Sequence, residues 1–382
     1  GETVVNGAKN SILPILSAAL VCKTPCVLHN CPCIADVEHT LAILRSLGCV
    51  CQRDGSTLYI DARGAHGGRI PPQLAGAMRA SSLFLGALLA KERRAALTLP
   101  GGCPIGARPL DYHLAAFRAL GAQTAVQGDT IVCKAERLTG AAIRLPGPSV
   151  GATENALLAA VAADGVTTIE NAAREPEITD LADFLRVCGA KIAGAGTKTI
   201  TVEGPCALHG ATYTVLPDRI ETATFLCACA ACSGTVTLRR AAPQTLAPVL
   251  DALRASGCTV TCGNDTVTLV RTGRLMAGRP VTSAPYPAFP TDAMPVLMAA
   301  LLRAEGETSF TETIFERRFG YVSELQRLGA DLVLRGNTVF LTGARTLRGA
   351  PLCARDLRGG AALVIAAMCA EGESPIYGVK HI

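Results

Sequence analysis

The sequence predicts an α/β protein of two domains, and two patterns that repeat along the chain carry this prediction. In the first pattern, an apolar helix end is followed by a glycine, an alternating strand, a turn and a second strand. Its five copies lie about 70 residues apart and are led by Gly48, Gly121, Gly189, Gly257 and Gly329. Such a glycine ends a helix because it adopts a left-handed conformation without strain. Each copy therefore predicts an outer helix joined to a β-hairpin.

The second pattern is a polar start, then an Ala-rich helix that is apolar on nearly every side, then a strand. Its six copies begin at Gly7, Arg79, Ser149, Asp218, Thr291 and Asp356. A helix that is apolar all round belongs in a protein interior. Six such helices predict six α/β units, three to a domain, with one domain over 9–216 and a second over 217–382 plus 1–8. The sixth hairpin falls beyond Ile382, so we expect the sixth repeat to be incomplete.

The composition excludes several classes of function. Hydrophobic residues make up 49% of the 382 residues and charged residues 18%, so the chain can bury large cores. A net charge of +5 without a run of Lys or Arg argues against a nucleic-acid duplex as partner, and the lack of Trp argues against single strands. The apolar runs are too short to span a bilayer. We therefore expect a cytoplasmic monomer with no nucleic-acid and no membrane partner.

Seventeen cysteines invite a metal-binding interpretation. The closely spaced ones are Cys31 with Cys33, Cys49 with Cys51, and Cys227 with Cys229 and Cys232. The second group has strand spacing, the third lies in an Ala-rich helix pattern, and a second CxxC or His pair at zinc spacing is missing. We interpret most of them as small core residues in a reducing compartment, and we expect neither a metal nor a cofactor.

The most distinctive stretch is the loop L-P-G-G-C-P-I-G-A-R-P-L-D-Y at 99–112. Loops this rich in Gly and Pro are usually plain connectors. This one carries Cys103, whose thiol can act as an acid or a nucleophile. It also carries Arg108, whose guanidinium can hold a phosphate or a carboxylate through two hydrogen bonds.

Polar residues gather at the starts of the six Ala-rich helices. A helix N-terminus presents free N–H groups and partial positive charge, so N-termini that share a cleft attract anions. Lys9 and Arg79 oppose the helix dipole in a first turn, and a cation placed there usually answers a bound anion. Four further residues fit ordinary N-caps: Ser149, Asp218, Asp292 and Asp356.

Nine motifs are spread along the whole chain: GAKN at 7–10, MRASS at 78–82, LPGGCPIGARPLDYH at 99–113, SVGATEN at 149–155, NAAREPEITDLADFL at 171–185, PDRIETATF at 217–225, FPTD at 289–292, ETIFERRFGYVSEL at 312–325 and DLRGGAALV at 356–364. In order and spacing they resemble the UDP-N-acetylglucosamine 1-carboxyvinyltransferases, a family of enolpyruvyl transferases. The resemblance implies a two-domain inside-out α/β barrel with three βαβαββ repeats per domain.

The resemblance also implies a reaction. Phosphoenolpyruvate and UDP-N-acetylglucosamine would give the 3-enolpyruvyl ether and phosphate by addition and then elimination. This step commits the nucleotide sugar to peptidoglycan synthesis, on which cell-wall biogenesis, cell shape and cell division depend.

Roles for single residues follow from the same motifs. Lys9, Asn10 and Arg108 would hold phosphoenolpyruvate. Cys103 would protonate its methylene carbon, and Asp292 would take the proton of the sugar hydroxyl. Arg318 and Arg358 would support the charged site. The nucleotide sugar would be lined by Arg79, Arg108, Pro109, Leu110, Asp111, Tyr112, Gly147, Pro148, Ser149, Val150, Asp292 and Ile314.

The chain departs from the family at several positions; Ala288 and Arg317 replace a usual Gly and Asn with small expected effects, and the others bear on substrate binding or on the chain ends. Gly147 stands where a lysine often contacts the nucleotide. After VKHI at 379–382 the family continues with an arginine that contacts phosphoenolpyruvate, so we expect a chain truncated at both ends. Three alternatives stay open. They are transfer to shikimate 3-phosphate, which the Cys-bearing loop disfavours; an impaired paralogue or fragment that only binds the nucleotide sugar; and a cysteine-rich metal protein.

Overall fold

The computed structural model describes residues 1–99, 105–106 and 109–382. The described chain divides into two compact units. The amino-terminal unit comprises residues 7–99 and 109–216, and the carboxy-terminal unit comprises residues 1–6, 105–106 and 217–382. Each unit has a hydrophobic core of its own.

The α-helices of the described residues are, in chain order, α1 (Lys9–Ala19), α2 (Ala35–Ser46), α3 (Pro72–Ala75), α4 (Phe84–Glu92), α5 (Asp111–Ala119), α6 (Val150–Ala160), α7 (Pro176–Val187), α8 (Arg219–Cys232), α9 (Ala247–Ala255), α10 (Met294–Leu301), α11 (Val322–Arg327) and α12 (Leu357–Met368). Short 3-10 helices cover Arg79–Leu83, Pro243–Thr245, Arg318–Tyr321 and Val379–His381. No helix among these residues is both long enough and apolar enough to cross a membrane.

The strands are β1 (Glu2–Val4), β2 (Cys26–His29), β3 (Val50–Asp54), β4 (Thr57–Asp61), β5 (Arg94–Thr98), β6 (Gln123–Gln127), β7 (Thr130–Lys134), β8 (Ala142–Arg144), β9 (Gly165–Glu170), β10 (Lys191–Ala193), β11 (Thr199–Gly204), β12 (Thr212–Thr214), β13 (Gly234–Arg239), β14 (Thr259–Cys262), β15 (Thr266–Arg271), β16 (Val281–Thr282), β17 (Glu307–Thr311), β18 (Asp331–Arg335), β19 (Thr338–Thr342), β20 (Leu352–Cys353) and β21 (Ile376–Tyr377).

Each unit carries three sheets. In the amino-terminal unit their strand orders are β12-β2-β4-β3, β5-β7-β6 and β8-β9-β11-β10. In the carboxy-terminal unit they are β1-β13-β15-β14, β16-β17-β19-β18 and the two-stranded β20-β21. Every four-stranded sheet joins one parallel edge strand to an antiparallel hairpin, as in β12 beside β2, β4 and β3. The predicted α/β fold of repeated helix–hairpin units is confirmed.

The five glycines predicted to end the outer helices all adopt positive φ, between 86° and 102°. Each is followed by a hairpin, for example β3 and β4 after Gly48. Only glycine takes this conformation at little cost, so a repeating glycine sets where each outer helix ends and where each hairpin begins.

The six Ala-rich helices form where the sequence predicts them, with two differences. The start at Arg79 is a 3-10 helix, and α4 begins at Phe84. The Ser81 hydroxyl there donates to the carbonyls of Met78 and of Ala75, the last residue of α3, rather than to the carbonyl four residues before it as in an α-helix. The expectation that all six helices are buried is wrong for α8 and α12, where Phe225 is 40% and Met368 61% exposed.

A buried amide joins two inner helices of the amino-terminal unit. The Asn155 side chain of α6 accepts the Gly86 N–H of α4 at 2.8 Å and donates to the Ser82 carbonyl at 3.2 Å. A Cβ on Gly86 would lie 2.6 Å from the Asn155 carbonyl oxygen, so only glycine permits this close approach. The contact holds α4, which follows the 3-10 helix that begins at Arg79, against α6, whose N-cap is Ser149.

Candidate functional site

In the carboxy-terminal unit, two arginines hold one carboxylate. Asp292 lies just before α10, and its Oδ1 forms an ion pair with Nη2 of Arg318. Its Oδ2 accepts a hydrogen bond from Nη2 of Arg358, in the first turn of α12, at 3.0 Å. The Arg318 side chain is only 2% exposed. Asp292 therefore joins the starts of two inner helices and the 3-10 helix Arg318–Tyr321.

The pKa of Asp292 results from two opposed effects. Burial raises the pKa, but the charges of Arg358 and Arg318, together with their hydrogen bonds, outweigh it. The net pKa lies well below the ordinary range of an aspartate. The carboxylate is therefore ionised, and it is a weak proton acceptor as long as both guanidinium groups hold it.

The four suggested N-caps divide into two classes. Ser149, Asp218 and Asp356 are caps, because their side chains accept backbone N–H groups in the first turns of α6, α8 and α12. Asp292 is not a cap, since the residue before α10 is Ala293 and no side chain caps that helix. Its carboxylate is occupied by arginines instead, which sets Asp292 apart from the other three.

A second buried carboxylate, Glu312, orders the surroundings of Asp292. Its Oε2 accepts the hydroxyl of Thr291, the neighbour of Asp292, at 2.7 Å. Its Oε1 accepts the Ser283 hydroxyl at 2.8 Å and the backbone N–H groups of Ile314 and Phe315 at 2.6 and 3.2 Å. Four donors on one carboxylate fix the loop before α10 and the segment that leads from β17 to Arg318.

Further contacts orient the segment around Arg318. The Arg318 guanidinium carbon lies 5.6 Å from the centre of the Phe315 ring, a cation–π distance. Its Nη2 also donates to the Thr291 carbonyl at 3.2 Å. Ile314 is 36% exposed, so it is available to a ligand. The Arg317 N–H donates to the Ile105 carbonyl at 2.9 Å.

In the amino-terminal unit, Lys9 and Asn10 occupy the first turn of α1. The Lys9 ammonium lies 2.5 Å from a carboxylate oxygen of Asp36, in the first turn of α2. Both side chains are partly exposed, at 28% and 33%. A negative charge thus compensates Lys9 at this position, and an anionic ligand would compete with Asp36 for it.

Arg79 acts on a buried imidazole. Burial, together with a smaller effect of the Arg79 charge, lowers the pKa of His113 to about 4. The ring is therefore neutral at pH 7, and its Nδ1 lies 2.8 Å from the Asn155 amide nitrogen, the orientation that makes Nδ1 the acceptor. The imidazole packs against Gly151 in the first turn of α6. Arg79, His113 and the start of α6 are therefore neighbours.

The remaining predicted site residues fall into two groups. Cys103 and Arg108 lie outside the described residues. Pro109 and Leu110 precede α5, Asp111 and Tyr112 open it, and Gly147 and Pro148 lead to Ser149 and Val150 at the start of α6. Leu110 is buried, whereas Pro109, Asp111 and Tyr112 are exposed. A Cβ on Gly147 would meet open space.

Sequence reasoning missed Asp36, His113 and Glu312. A signal for Glu312 exists, because Thr308 and Phe310 of β17 are buried and Glu312 continues the same face at a spacing of two. An acid on the buried face of a strand needs donors. No comparable signal exists for Asp36, since its distance in sequence from Lys9 says nothing about their contact.

Comparisons with known proteins agree over the whole chain. A family model described as EPSP synthase (3-phosphoshikimate 1-carboxyvinyltransferase) matches residues 1–382. The chain is 45% identical over 382 residues to UDP-N-acetylglucosamine 1-carboxyvinyltransferase 2 of Caldanaerobacter subterraneus subsp. tengcongensis, covering 100% of the chain and 92% of the relative. It is 46% identical over 383 residues to UDP-N-acetylglucosamine 1-carboxyvinyltransferase of Dichelobacter nodosus, covering 100% of the chain and 91% of the relative.

Solved structures are similar as well. The enolpyruvyl transferase NikO from Streptomyces tendae superimposes with a TM-score of 0.90 at 28% identity, covering 100% of this chain and 91% of that one. EPSP synthase from Acinetobacter baumannii superimposes with a TM-score of 0.76 at 19% identity, covering 100% and 92%. The second likeness is one of fold.

We predict that Glu312→Ala lowers the free energy of unfolding by at least about 2 kcal/mol, because buried donors lose their acceptor at about 1–3 kcal/mol each. Glu312→Gln keeps one acceptor oxygen and should lose less. Urea unfolding followed by circular dichroism measures both. The control is Glu307→Ala, an exposed acid of β17, expected within about 0.5 kcal/mol of the wild type. Equal stabilities of Glu312→Ala and the control would contradict the role given to Glu312.

Proposed function

Since the chain belongs to the EPSP synthase (3-phosphoshikimate 1-carboxyvinyltransferase) family, and within it to the UDP-N-acetylglucosamine 1-carboxyvinyltransferases, we propose that it transfers the enolpyruvyl group of phosphoenolpyruvate to the 3-hydroxyl of UDP-N-acetylglucosamine. The observation that carries the proposal is an identity of 45 to 46% over the full chain to relatives of that name. The product would enter peptidoglycan synthesis in the cytoplasm. Membership in this family is what the nine motifs predict.

The proposed chemistry has two steps. In the addition, a proton from the Cys103 thiol adds to the methylene carbon of phosphoenolpyruvate, and the sugar hydroxyl oxygen bonds to its central carbon as the hydroxyl proton leaves to Asp292. In the elimination, the carbon–oxygen bond to phosphate breaks, the leaving phosphate takes up the proton held by Asp292, and the new methyl group returns a proton to the Cys103 thiolate, which regenerates the double bond and both residues. A thiol with an ordinary pKa of about 8.5 is mostly protonated at pH 7, so it can donate.

The arginine pairing of Asp292 bears on when this carboxylate can accept a proton. An anionic substrate that binds Arg358 would weaken the hydrogen bond of that guanidinium to Asp292, which is 3.0 Å long. The pKa of Asp292 would then rise from its very low value toward that of an ordinary carboxylate. Competition of the same kind would open the Lys9–Asp36 pair. In this proposal, binding of the anionic substrate raises the pKa of Asp292 and so allows this carboxylate to act as the general base.

Release of phosphate with two acceptors tests the function. We expect phosphoenolpyruvate to release phosphate when UDP-N-acetylglucosamine is present and not when shikimate 3-phosphate replaces it. Equal or greater release with shikimate 3-phosphate would favour the sister reaction. Binding of the nucleotide sugar by calorimetry without phosphate release would favour a paralogue that only binds.

Cys103 is predicted to be the most reactive of the seventeen cysteines toward an anionic electrophile, because its loop also carries Arg108, whose guanidinium can hold a phosphonate. An epoxide phosphonate that mimics phosphoenolpyruvate should alkylate it, faster with the nucleotide sugar bound, as measured by peptide mass mapping. The exposed thiols Cys33 and Cys353 serve as internal controls. Equal labelling of those thiols, or none at Cys103, would contradict the prediction. Cys103→Asp should resist alkylation while keeping a group that can deliver a proton.

Asp292→Asn is predicted to lower kcat by about 100-fold or more, the usual loss on removal of a general base. Some loss of thermal stability is also expected, because Arg318 keeps a buried charge without its anion. The control is Asp218→Asn in the same unit, since Asn caps a helix about as well as Asp. Full activity of Asp292→Asn would remove Asp292 from the chemistry.

Gly147→Lys is predicted to tighten nucleotide-sugar binding, because it restores a cation that members of the family often carry there, and a Cβ at this position meets open space. The KM for UDP-N-acetylglucosamine should fall several-fold with kcat little changed, and the gain should shrink with added salt. Gly273→Lys adds the same charge at another open glycine. A KM unchanged by Gly147→Lys, or lowered equally by Gly273→Lys, would contradict the assignment.

A further inference from the structure

Three buried thiols converge at one point of the amino-terminal unit, away from the residues discussed so far. The Sγ atoms of Cys22, Cys26 and Cys188 all lie within 4.8 Å of one another. None of the three side chains is more than 1% exposed. In the described part of the chain, no other three side chains of His, Cys, Asp or Glu bring their donor atoms together as candidates for a metal ion.

The three thiols come from three different elements. Cys22 lies in the turn after α1, Cys26 is the first residue of β2, and Cys188 directly follows α7. The second cysteine follows the first by four residues, but the third is far away in sequence. Spacing along the chain therefore could not reveal the cluster, and the fold alone brings it together.

The separation of the sulfur atoms suits a metal ion. Thiolates bind Zn²⁺ at about 2.3 Å, which places tetrahedrally arranged sulfur atoms about 3.8 Å apart. An isolated buried cysteine such as Cys133 packs as a small apolar side chain and needs no partner. Three sulfur atoms that face one another instead form a soft donor set, the kind that zinc takes in Cys₃His sites.

His209 follows the cluster in the fold, but its ring nitrogens are not among the donor atoms that lie within 4.8 Å of one another, and its Nδ1 lies 3.0 Å from the Gly210 carbonyl oxygen, so binding requires the ring to turn. The backbone N–H of His209 donates to the Cys188 carbonyl at 2.9 Å. The His209 ring lies against Gly189, where an added Cβ would be 3.4 Å from its Cδ2. Because this side chain is exposed, it can change rotamer at little cost.

We propose that Cys22, Cys26 and Cys188 bind one zinc ion as thiolates, with His209 as the fourth ligand. The ion would tie the end of α1 to β2 and to α7. Lys9 stands at the opposite end of α1, a helix of 11 residues and so about 16 Å long. The site would thus stabilise the helix that presents Lys9 without touching a substrate, and this inference is independent of the proposed function.

Titration of the reduced, metal-free chain with Cd²⁺ tests the proposal, because each thiolate–cadmium site absorbs in the ultraviolet. We expect one tight equivalent per chain in the wild type and in Cys133→Ala, which removes a buried thiol of the same unit outside the cluster. The equivalent should be lost in Cys22→Ala and Cys188→Ala. Proton release into a dye-containing buffer should accompany binding, since thiols must ionise to bind.

Two further measurements do not depend on how well the variants fold. X-ray absorption of the wild type with one equivalent of Zn²⁺ should show three sulfur neighbours and one nitrogen neighbour around the zinc ion. Added Zn²⁺ should also raise the melting temperature of the wild type and of Cys133→Ala. A sulfur count of one or none, or tight binding that survives in Cys188→Ala, would overturn the site. Unchanged affinity in His209→Ala would overturn His209 as the fourth ligand.

Discussion

The paired charges around Asp292 are the constraint on which the carboxy-terminal unit depends most. Arg318 is almost completely buried, and a buried guanidinium without an anion is strongly destabilising. Asp292 supplies that anion and also holds Arg358. Because the pairing lowers the pKa of Asp292 in the folded state, its stabilising effect is complete above the unfolded value of about 3.9 and is lost as the pH falls through the folded-state pKa.

Ion pairing also occurs in the amino-terminal unit, where the paired side chains of Lys9 and Asp36 are more exposed to solvent than Arg318. Lys9 is paired with Asp36, and burial, supported by the charge of Arg79, keeps His113 neutral. In both units, cations stand where helices begin, and protein carboxylates compensate two of them, Lys9 and Arg358. These ion pairs keep charges at helix N-termini that the helix dipole disfavours. In the proposed mechanism an incoming anion would displace these carboxylates, which would link substrate binding to the ionisation of Asp292.

Much of the fold follows from local patterns that can be recognised in the sequence. Each repeat ends an outer helix before a hairpin and buries an inner helix. The helix-ending glycine and the apolar helix pattern therefore recur along the chain. The partial exposure of α8 and α12 does not follow, since burial depends on which elements pack against a helix. The 3-10 start at Arg79 does not follow either, because it rests on the hydrogen bonds of one serine hydroxyl.

The sequence proposes candidate site residues, but it does not show which of them contact one another. Motifs identify Lys9, Asp292, Arg318 and Arg358, but contacts such as Lys9 with Asp36 join residues that only the fold brings together. The cap assignment failed at Asp292 because Asp before a helix fits both a cap and an ion pair, and only geometry separates them. Cys22, Cys26 and Cys188 converge for the same reason, without any spacing that the chain displays.

The most direct test of this account is an NMR titration of the Asp292 carboxyl carbon in protein labelled with ¹³C-aspartate, assigned by its loss in Asp292→Asn. The account predicts that Asp292 stays ionised at pH 4, where an ordinary aspartate with a pKa of about 3.9 is half protonated. It also predicts that phosphoenolpyruvate moves the midpoint upward. An ordinary midpoint in the free chain, or one that phosphoenolpyruvate leaves unchanged, would contradict it.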